Sequence, residues 1–373
     1  MQHSQMNSKK QPGVSPKITR TILNDIRSGG LRRTLLQDFK DIYDFYIDQD
    51  MRERLSKMGR IRRWLHLAWW LLKSLFFKLA PVRRILFVIA IVLFLAGRTN
   101  IQSDGAQVDV NLNLLGFILL IIILMLELKD KWLAHDELSV GRAVQIALLP
   151  QKNPVLEGWD IWLYTQPAND VGGDLVDYLY LDQSRLQIAL ADVAGKGLGA
   201  ALLMAKLQAT LRALAPNFKS LGELGAQVNE ILCRDGLPNR FASLVYLEIM
   251  ADSNKVRLLN AGHMPPILIR DRKIVELPKG KSALGLHKKS KYNEQKIILK
   301  PNDVLVIYSD GITEARNEQG AFFNEQRLLN LLVKLSSLTV AELGKRIIAE
   351  VERFIGEARR HDDVSLVILR KIN

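Results

Sequence analysis

Two apolar runs stand out in the first third of the chain, one within residues 82–97 and one within residues 112–126. Neither run shows a polar face, and a polar stretch at about 99–111 separates them. About 20 apolar residues span a bilayer as a helix, and the first run comes near that length when flanking basic residues or tilt are allowed for. The pattern predicts a two-helix transmembrane hairpin over residues 81–128. A buried helical hairpin in a soluble protein is the alternative.

The segments on either side of this pair look amphipathic. Residues 61–79 combine three tryptophans with four basic side chains, which is typical of a helix at the level of the lipid headgroups. Apolar positions at helical spacing over 21–60 extend this pattern, so we expect a basic helical region over residues 1–80. After the second apolar run, apolar positions recur at helical spacing as far as Pro150, which predicts a linker helix over residues 129–150.

Downstream of the linker, the pattern changes to short strands. Ten strand-like runs follow one another, with turn signals such as MADSNK and IRDRK between neighbours. Helical stretches interrupt them at residues 199–214, 221–234, 325–335 and 339–357. Strands joined by hairpins, together with a few helices, imply an α+β fold with sheet packing over residues 151–373.

Charge is distributed unevenly along the chain. Of the formal net charge of +13, most belongs to residues 1–97, which carry 18 Lys and Arg against 7 Asp and Glu. Basic flanks favour the cytoplasmic side of a membrane, so we expect a two-pass protein of the inner (cytoplasmic) membrane with both termini in the cytoplasm. A basic excess beside apolar segments favours the lipid bilayer as a partner, and we expect no nucleic acid partner because no nucleic-acid-binding motif accompanies it.

Four aspartates lie at the ends of strand-like runs, each in a glycine-rich or acidic phrase. They are Asp174 in VGGDLVDY, Asp192 in ALADVAGKG, Asp310 in IYSDGITEA and Asp362 in RHDDVSLVIL. A single aspartate at a strand end more often forms a turn. Four carboxylates that converge from strand ends would instead offer the oxygen ligands that Mg²⁺ and Mn²⁺ prefer, and such sites catalyse phosphoryl chemistry.

Other candidate nucleophiles are weak. Cys233 is the single cysteine, which excludes an intrachain disulfide and a cysteine zinc site. His263 and His361 are the only suggestive histidines, and neither belongs to a Ser-His-Asp pattern or a GxSxG elbow. A metal-bound hydroxide is therefore the simplest nucleophile. Lys196 is either a phosphate contact or a solvent-facing loop lysine.

From about residue 140 to 371, the chain resembles the SpoIIE-type branch of the PPM metal-dependent serine/threonine protein phosphatases. The matching phrases occur in family order: AVQIALLP, QPANDVGGDLVDY, ADVAGKGLGAALLMA, FASLVYLEI, LLNAGHMPPILI, SALGL, VLVIYSDGITEARN, FFNEQRL and HDDVSLVIL. Ser243 stands where threonine is frequent in the family. The resemblance implies an α-β-β-α sandwich with metal ions at one edge of the sheets.

The resemblance also implies roles for individual residues. Two Mn²⁺ or Mg²⁺ ions would be held by four side chains and one backbone carbonyl, those of Asp174, Asp192, Val193, Asp310 and Asp362. Of these, Asp174, Asp192 and Asp310 would be catalytic. Asp363 stands where the wider superfamily often has asparagine, so its role is open.

The implied function is a membrane-anchored protein phosphatase that hydrolyses phosphoserine or phosphothreonine with a metal-bridging hydroxide. The substrate would be a phosphorylated regulatory protein, an anti-sigma-factor antagonist in many relatives. In the family, the linker helix can dimerise and control metal occupancy, which implies a homodimer through residues 129–150. Two alternatives stay open: a catalytically inactive, membrane-tethered module that binds a phosphoprotein, and a metal phosphohydrolase that acts on a nucleotide or a lipid headgroup.

Overall fold

The chain divides into two compact units, Met1–Asp130 and Lys131–Asn373. The computed structural model describes residues 51, 54, 55, 58–103, 106–235 and 240–372. The helical stretch expected over residues 21–60 lies almost entirely outside the described residues, as do the polar residues before it.

Among the described residues of the first unit are two helices, α1 at Arg60–Lys78 and α2 at Pro81–Ala96. Pro81 lies in the first turn of α2. Proline is tolerated there because the N–H that it lacks has no acceptor within the helix. Trp64 and Trp69 on α1 are exposed, as an interfacial helix requires.

Helix α3 extends without interruption from Leu112 to Leu148. The second apolar run and the expected linker helix are therefore parts of one helix. A β-hairpin, formed by β1 at Arg98–Ser103 and β2 at Ala106–Asn111, occupies the polar stretch between the two apolar runs. Valine at alternate positions in β2 is the period-two signal that predicts a strand, and the polar composition of the stretch obscured it.

Helices α2 and α3 approach closely where Gly116 faces α2. A Cβ on Gly116 would lie 2.6 Å from the carbonyl oxygen of Ala90, and Ala90 is fully buried. Small residues allow such close approach between membrane helices. Near the start of α2, the Arg83 guanidinium lies 2.7 Å from a Glu127 oxygen and 2.6 Å from an Asp130 oxygen. The two helices thus form one packed hairpin.

Helix α3 is long and apolar enough to cross a membrane. It has 37 residues, and its most apolar window has a mean hydropathy of 2.3 and is 11% buried. Among the described residues, Leu198–Asn217 also meets the length and hydropathy test, but 39% of its window is buried because it packs in a core. Helix α2 has 16 residues, so the case for it as a membrane helix depends on its packing against α3.

The second unit contains two five-stranded sheets in which every pairing is antiparallel. The strand order is β10-β7-β6-β5-β4 in the first sheet and β3-β12-β11-β8-β9 in the second. Their bounds are β3 Trp159–Gln166, β4 Leu175–Tyr180, β5 Arg185–Val193, β6 Ala242–Met250, β7 Lys255–Ala261, β8 Ile267–Arg270, β9 Lys273–Val275, β10 Glu294–Ile298, β11 Val304–Tyr308 and β12 Val364–Lys371.

Five α-helices accompany these strands in the described part of this unit, and four of them match helices expected from the sequence. They are α4 Leu198–Leu214, α5 Leu221–Asp235, α6 Asp310–Thr313, α7 Glu325–Leu335 and α8 Val340–Ile355. The short helix α6 was not expected. A capping box of Thr339 and Glu342 fixes the start of α8.

Alternation along the strands builds three apolar layers. In β5, Leu186, Ile188 and Leu190 pack between the two sheets, whereas Ala189 and Ala191 face α4 and α5. The second sheet likewise packs its other face on α7 and α8. Because both faces of each sheet are covered, the strands read as nearly continuous apolar runs. The layers form an α-β-β-α sandwich, which confirms the expected fold.

Candidate active site

The four aspartates lie at one end of the paired sheets. Asp192 is the penultimate residue of β5, and Asp174 directly precedes β4, which pairs with β5. In the second sheet, Asp310 begins α6 just after β11, and Asp362 lies just before β12, which pairs with β11. Each sheet therefore supplies two aspartates from neighbouring strands.

The electrostatics show that these carboxylates influence one another across the two sheets. Burial, and then the charge of Asp192, raises the pKa of Asp174 well above its ordinary value. Burial, followed by the charges of Asp310 and Asp362, raises the pKa of Asp192 to about 7. Burial and then the Asp362 charge also raise the pKa of Asp310. A cation among these groups would favour their ionised forms.

The carboxylate of Asp174 is buried, and one of its oxygens has no hydrogen-bond partner among the described residues. The residue is 5% exposed, and the oxygen without such a partner is Oδ2. A buried carboxylate is costly unless a proton or a cation neutralises it. Because the donors gathered here are oxygens, the residues fit a hard divalent cation such as Mg²⁺ or Mn²⁺.

These groups are coupled without forming a closed ligand cage. Among the residues that the structure describes, no group of three or more His, Cys, Asp or Glu side chains is placed so that it could hold a metal ion. Charges act on one another over longer distances than metal–oxygen bonds. The four aspartates therefore affect one another's charge, but in this arrangement no three of them could hold one metal ion together.

Paired glycines let the backbone before Asp174 pack tightly against its surroundings. A Cβ on Gly173 would lie 3.0 Å from the carbonyl oxygen of Val193, and one on Gly172 would lie 2.4 Å from a carboxylate oxygen of Asp363. A side chain at either position would force its neighbours apart. The close packing places the Val193 carbonyl beside the loop that carries Asp174.

Basic side chains hold the loop between β5 and α4. The Lys196 ammonium lies 2.9 Å from an Asp362 oxygen and donates to the backbone oxygen of His361. Arg240 donates from Nη1 to the Ala194 oxygen at 2.8 Å. The sequence predicted either a phosphate contact or a solvent-facing loop lysine at this position, and neither interpretation included the contact with Asp362. It places a positive charge directly beside one of the four carboxylates.

His263, which the sequence singled out, connects the two sheets. Its Nε2 atom lies 3.0 Å from the Tyr308 carbonyl oxygen, which can only accept, so Nε2 carries the hydrogen. Its Nδ1 atom then accepts from the Ser243 hydroxyl at 2.7 Å. Burial lowers the pKa of His263 to about 4. At neutral pH it is thus a neutral bridge whose two nitrogens are both engaged.

The sequence did not identify Gln145, on the C-terminal part of α3, as part of the site. It is 5% exposed; its Nε2 donates to the Gly172 oxygen at 2.7 Å, and its Oε1 accepts from the Gly172 N–H at 3.0 Å. The side chain thus pairs with both polar groups of a glycine two residues before Asp174. A glutamine among apolar residues of AVQIALLP was the available signal, but its partner is distant in sequence.

Comparison with known proteins identifies the family to which the chain belongs and its relatives. The family model described as stage II sporulation protein E (SpoIIE) matches residues 182–371, which is half of the chain. Phosphoserine phosphatase RsbU of Bacillus subtilis is 27% identical over 238 residues, covering 63% of this chain and 70% of RsbU. Protein IcfG of Synechocystis is 27% identical over 259 residues, covering 62% of this chain and 41% of IcfG.

Solved structures share the same architecture. The SiaA PP2C domain of Pseudomonas aeruginosa aligns with a TM-score of 0.57 at 19% identity, over 65% of this chain and 98% of that domain. The PP2C phosphatase domain of SpoIIE from Bacillus subtilis, with a fragment of its regulatory domain, aligns with a TM-score of 0.50 at 18% identity, over 58% of this chain and 64% of that one. At these identities the likeness concerns the PP2C-like fold.

Proposed function

Because the chain belongs to the SpoIIE family of PPM-type phosphatases, we propose that it is a Mn²⁺- or Mg²⁺-dependent protein phosphatase that hydrolyses phosphoserine or phosphothreonine. The observation that carries the proposal is the placement of four aspartates at one end of two sheets, where the buried Oδ2 atom of Asp174 has no hydrogen-bond partner among the described residues. The relative RsbU, named a phosphoserine phosphatase, supports the same class of reaction.

The ions would be held by the residues that the resemblance named: Asp174, Asp192, Val193, Asp310 and Asp362. When bound, two divalent ions would activate a water molecule for attack on phosphorus and neutralise charge on the phosphoryl oxygens. Each sheet brings two carboxylates to the same end of the sandwich. Burial and the repulsion between these groups raise the pKa values of Asp174, Asp192 and Asp310. The 57% exposed side chain of Lys196 keeps a positive charge beside Asp362, where an anionic phosphoserine would approach.

His263 fits a structural role in this mechanism. Its Nε2 hydrogen is donated to the Tyr308 carbonyl and its Nδ1 atom accepts from Ser243. A histidine with both nitrogens engaged and a lowered pKa does not serve as a general acid at neutral pH. It ties the strand beside Asp192 to the strand that leads to Asp310.

We extend the proposal to substrate and location. The substrate is a phosphorylated regulatory protein of the anti-sigma-factor-antagonist type, as the family resemblance implies. The protein crosses the inner membrane twice, with both termini and the catalytic unit in the cytoplasm; the basic N-terminal region and the length of α3 support this. Exposed apolar side chains on α3, Trp132, Leu133 and Val140 among them, support a homodimer through this helix.

Activity measurements on the purified full chain in detergent test the enzymatic proposal. With Mn²⁺, we expect release of phosphate from a phosphoserine peptide, and we expect Asp192→Asn and Asp310→Asn each to lower kcat about 100-fold or more. Asp252→Asn, in an exposed turn, is the matched control and should keep full activity. Full activity in both Asp192→Asn and Asp310→Asn would refute the proposed mechanism.

The same preparation separates the alternatives. Binding of the phosphopeptide without turnover would identify an inactive binding module. A preference for a nucleotide or a glycerophosphate ester over the peptide would identify a different phosphohydrolase. For location, we expect the protein to stay in the membrane pellet after a high-salt wash; release by salt would reduce the N-terminal region to an electrostatic surface anchor.

A further inference from the structure

Asp363, which follows the candidate ligand Asp362, directs its carboxylate at backbone N–H groups. It is 7% exposed. Its Oδ1 atom accepts from the Ala168 N–H at 2.8 Å, and its Oδ2 atom accepts from the Gly173 N–H at 2.6 Å and the Asp174 N–H at 3.3 Å. Both oxygens are therefore engaged by the segment that ends at Asp174.

The absence of a side chain at Gly172 makes this contact possible. A Cβ there would lie 2.4 Å from Oδ2 of Asp363 and 3.1 Å from Oδ1, so any other residue would push the carboxylate away from the N–H groups. Gly172 is itself held by Gln145 through two hydrogen bonds. The backbone before Asp174 is thus fixed from two directions.

The main chain of Asp363 contacts the segment that carries Asp310. The Ser309 hydroxyl donates to the Asp363 carbonyl oxygen at 3.2 Å, and the Ser365 N–H donates to the same hydroxyl at 2.9 Å. On the other side of Asp310, Gly311 lies so close to that carbonyl oxygen that a Cβ would overlap it. One residue therefore touches the segments that carry two of the four aspartates.

We propose that Asp363 is a positioning residue, which holds the segment carrying Asp174 next to the segment carrying Asp310 and does not itself bind an ion. This inference rests on the proposed function. Asp362, by contrast, has a 40% exposed side chain whose Oδ2 atom lies 2.9 Å from the Lys196 ammonium, so its carboxylate is the accessible one of the pair.

A positioning role and a ligand role of Asp363 predict different effects of Asp363→Asn. An asparagine has one acceptor oxygen instead of two, and its NH₂ group would meet a backbone N–H with a donor. At least one of the three hydrogen bonds is then lost, together with the charge that strengthens the others. The segment before Asp174 becomes looser, but no ligand is removed from an ion.

Hydrogen exchange on the metal-free full chain in detergent tests the positioning role without reference to activity. We expect the amides of Ala168, Gly173 and Asp174 to exchange about tenfold faster in Asp363→Asn than in the unmodified protein, since about one charge-assisted hydrogen bond is lost. Asp362→Asn, the matched neighbour, should leave these rates unchanged. Equal rates in Asp363→Asn and the unmodified protein would overturn the proposal.

Mn²⁺ binding, followed by the electron paramagnetic resonance of the free ion, separates a positioning residue from a ligand. Asp363→Asn should bind the same number of ions as the unmodified protein, with affinity about tenfold weaker. Loss of one bound ion would make Asp363 a ligand and refute the proposal. Should the unmodified protein bind no Mn²⁺, the proposed function fails, while the exchange experiment still decides whether Asp363 holds the segment.

A second variant guards against simple misfolding. Ser309→Ala removes the hydroxyl that donates to the Asp363 carbonyl and accepts from the Ser365 N–H. We expect faster exchange at residues 309–311 and at Ser365, and unchanged exchange at Ala168 and Gly173, with the melting temperature kept within a few degrees. Faster exchange throughout the domain in both variants would show a general loss of stability and would count against a local positioning role.

Discussion

Replacing Asp192 by asparagine should stabilise the metal-free protein while it removes activity. Burial first, and then the charges of Asp310 and Asp362, raises the pKa of Asp192 to about 7, whereas an unfolded chain has a value near 3.9. The folded protein therefore holds this proton more tightly than the unfolded one. The contribution of Asp192 to the free energy of unfolding is therefore fully present below about pH 4. It is lost as the pH rises to about 7 and does not change above that value.

The magnitude follows from the shift. A difference of about three pKa units corresponds to about 4 kcal/mol, lost between the two pH limits. Burial contributes most to this cost, the neighbouring carboxylates share the repulsion that adds to it, and Lys196 opposes it. We therefore expect about half for Asp192 alone, roughly 2 kcal/mol. For a folded unit of this size, that is a rise in melting temperature of about 4–8 °C in Asp192→Asn.

Thermal unfolding of the full chain in detergent with EDTA measures the effect. At about pH 8 the Asp192→Asn protein should melt above the unmodified protein, and the difference should shrink towards about pH 4, where the aspartate is protonated. Asp252→Asn, the exposed control, should show no gain at either pH. If Asp192→Asn melts at or below the unmodified protein at about pH 8, Asp192 is not crowded by buried charge and the described site is wrong.

Substitutions at three further positions test other contacts. Gly116→Leu should force α2 and α3 apart at Ala90 and lower the free energy of unfolding in detergent by about 1–3 kcal/mol, with a smaller loss in Gly116→Ala. An unchanged melting temperature would contradict the close helix contact. Gln145→Leu leaves both polar groups of Gly172 unpaired, so the Mn²⁺ concentration for half-maximal activity should rise several-fold, and an unchanged titration would refute the coupling. Arg83→Met removes the cation shared by two acidic side chains and should lower the melting temperature by a few degrees at low salt, less at about 1 M salt; equal loss at both would point to packing instead.

The strands and core helices could be predicted because burial on both faces leaves a strong local pattern. For example, β11 reads as an apolar run that a turn residue closes at each end, and α8 carries its own capping box. The four candidate aspartates could be found for the same reason, since each follows or precedes such a run. Family phrases in the right order supplied the rest.

Other features depend on contacts between distant parts of the chain, which a local pattern does not contain. The pairing of Gln145 with Gly172 and the three N–H groups held by Asp363 are of this kind. The continuity of α3 was missed for a different reason. Charged residues after Leu126 end the hydropathy signal, but no glycine or proline follows before Gly141, so the helix itself has no cause to stop.

The claim that four aspartates form one divalent-ion site is tested most directly by titrating Mn²⁺ into the purified full chain and measuring bound ions by calorimetry. The unmodified protein should bind about two ions, as a two-metal phosphatase site requires. The four Asp→Asn variants at positions 174, 192, 310 and 362 should each bind fewer ions or bind them at least about tenfold more weakly. Four variants that bind Mn²⁺ as the unmodified protein does would contradict the account.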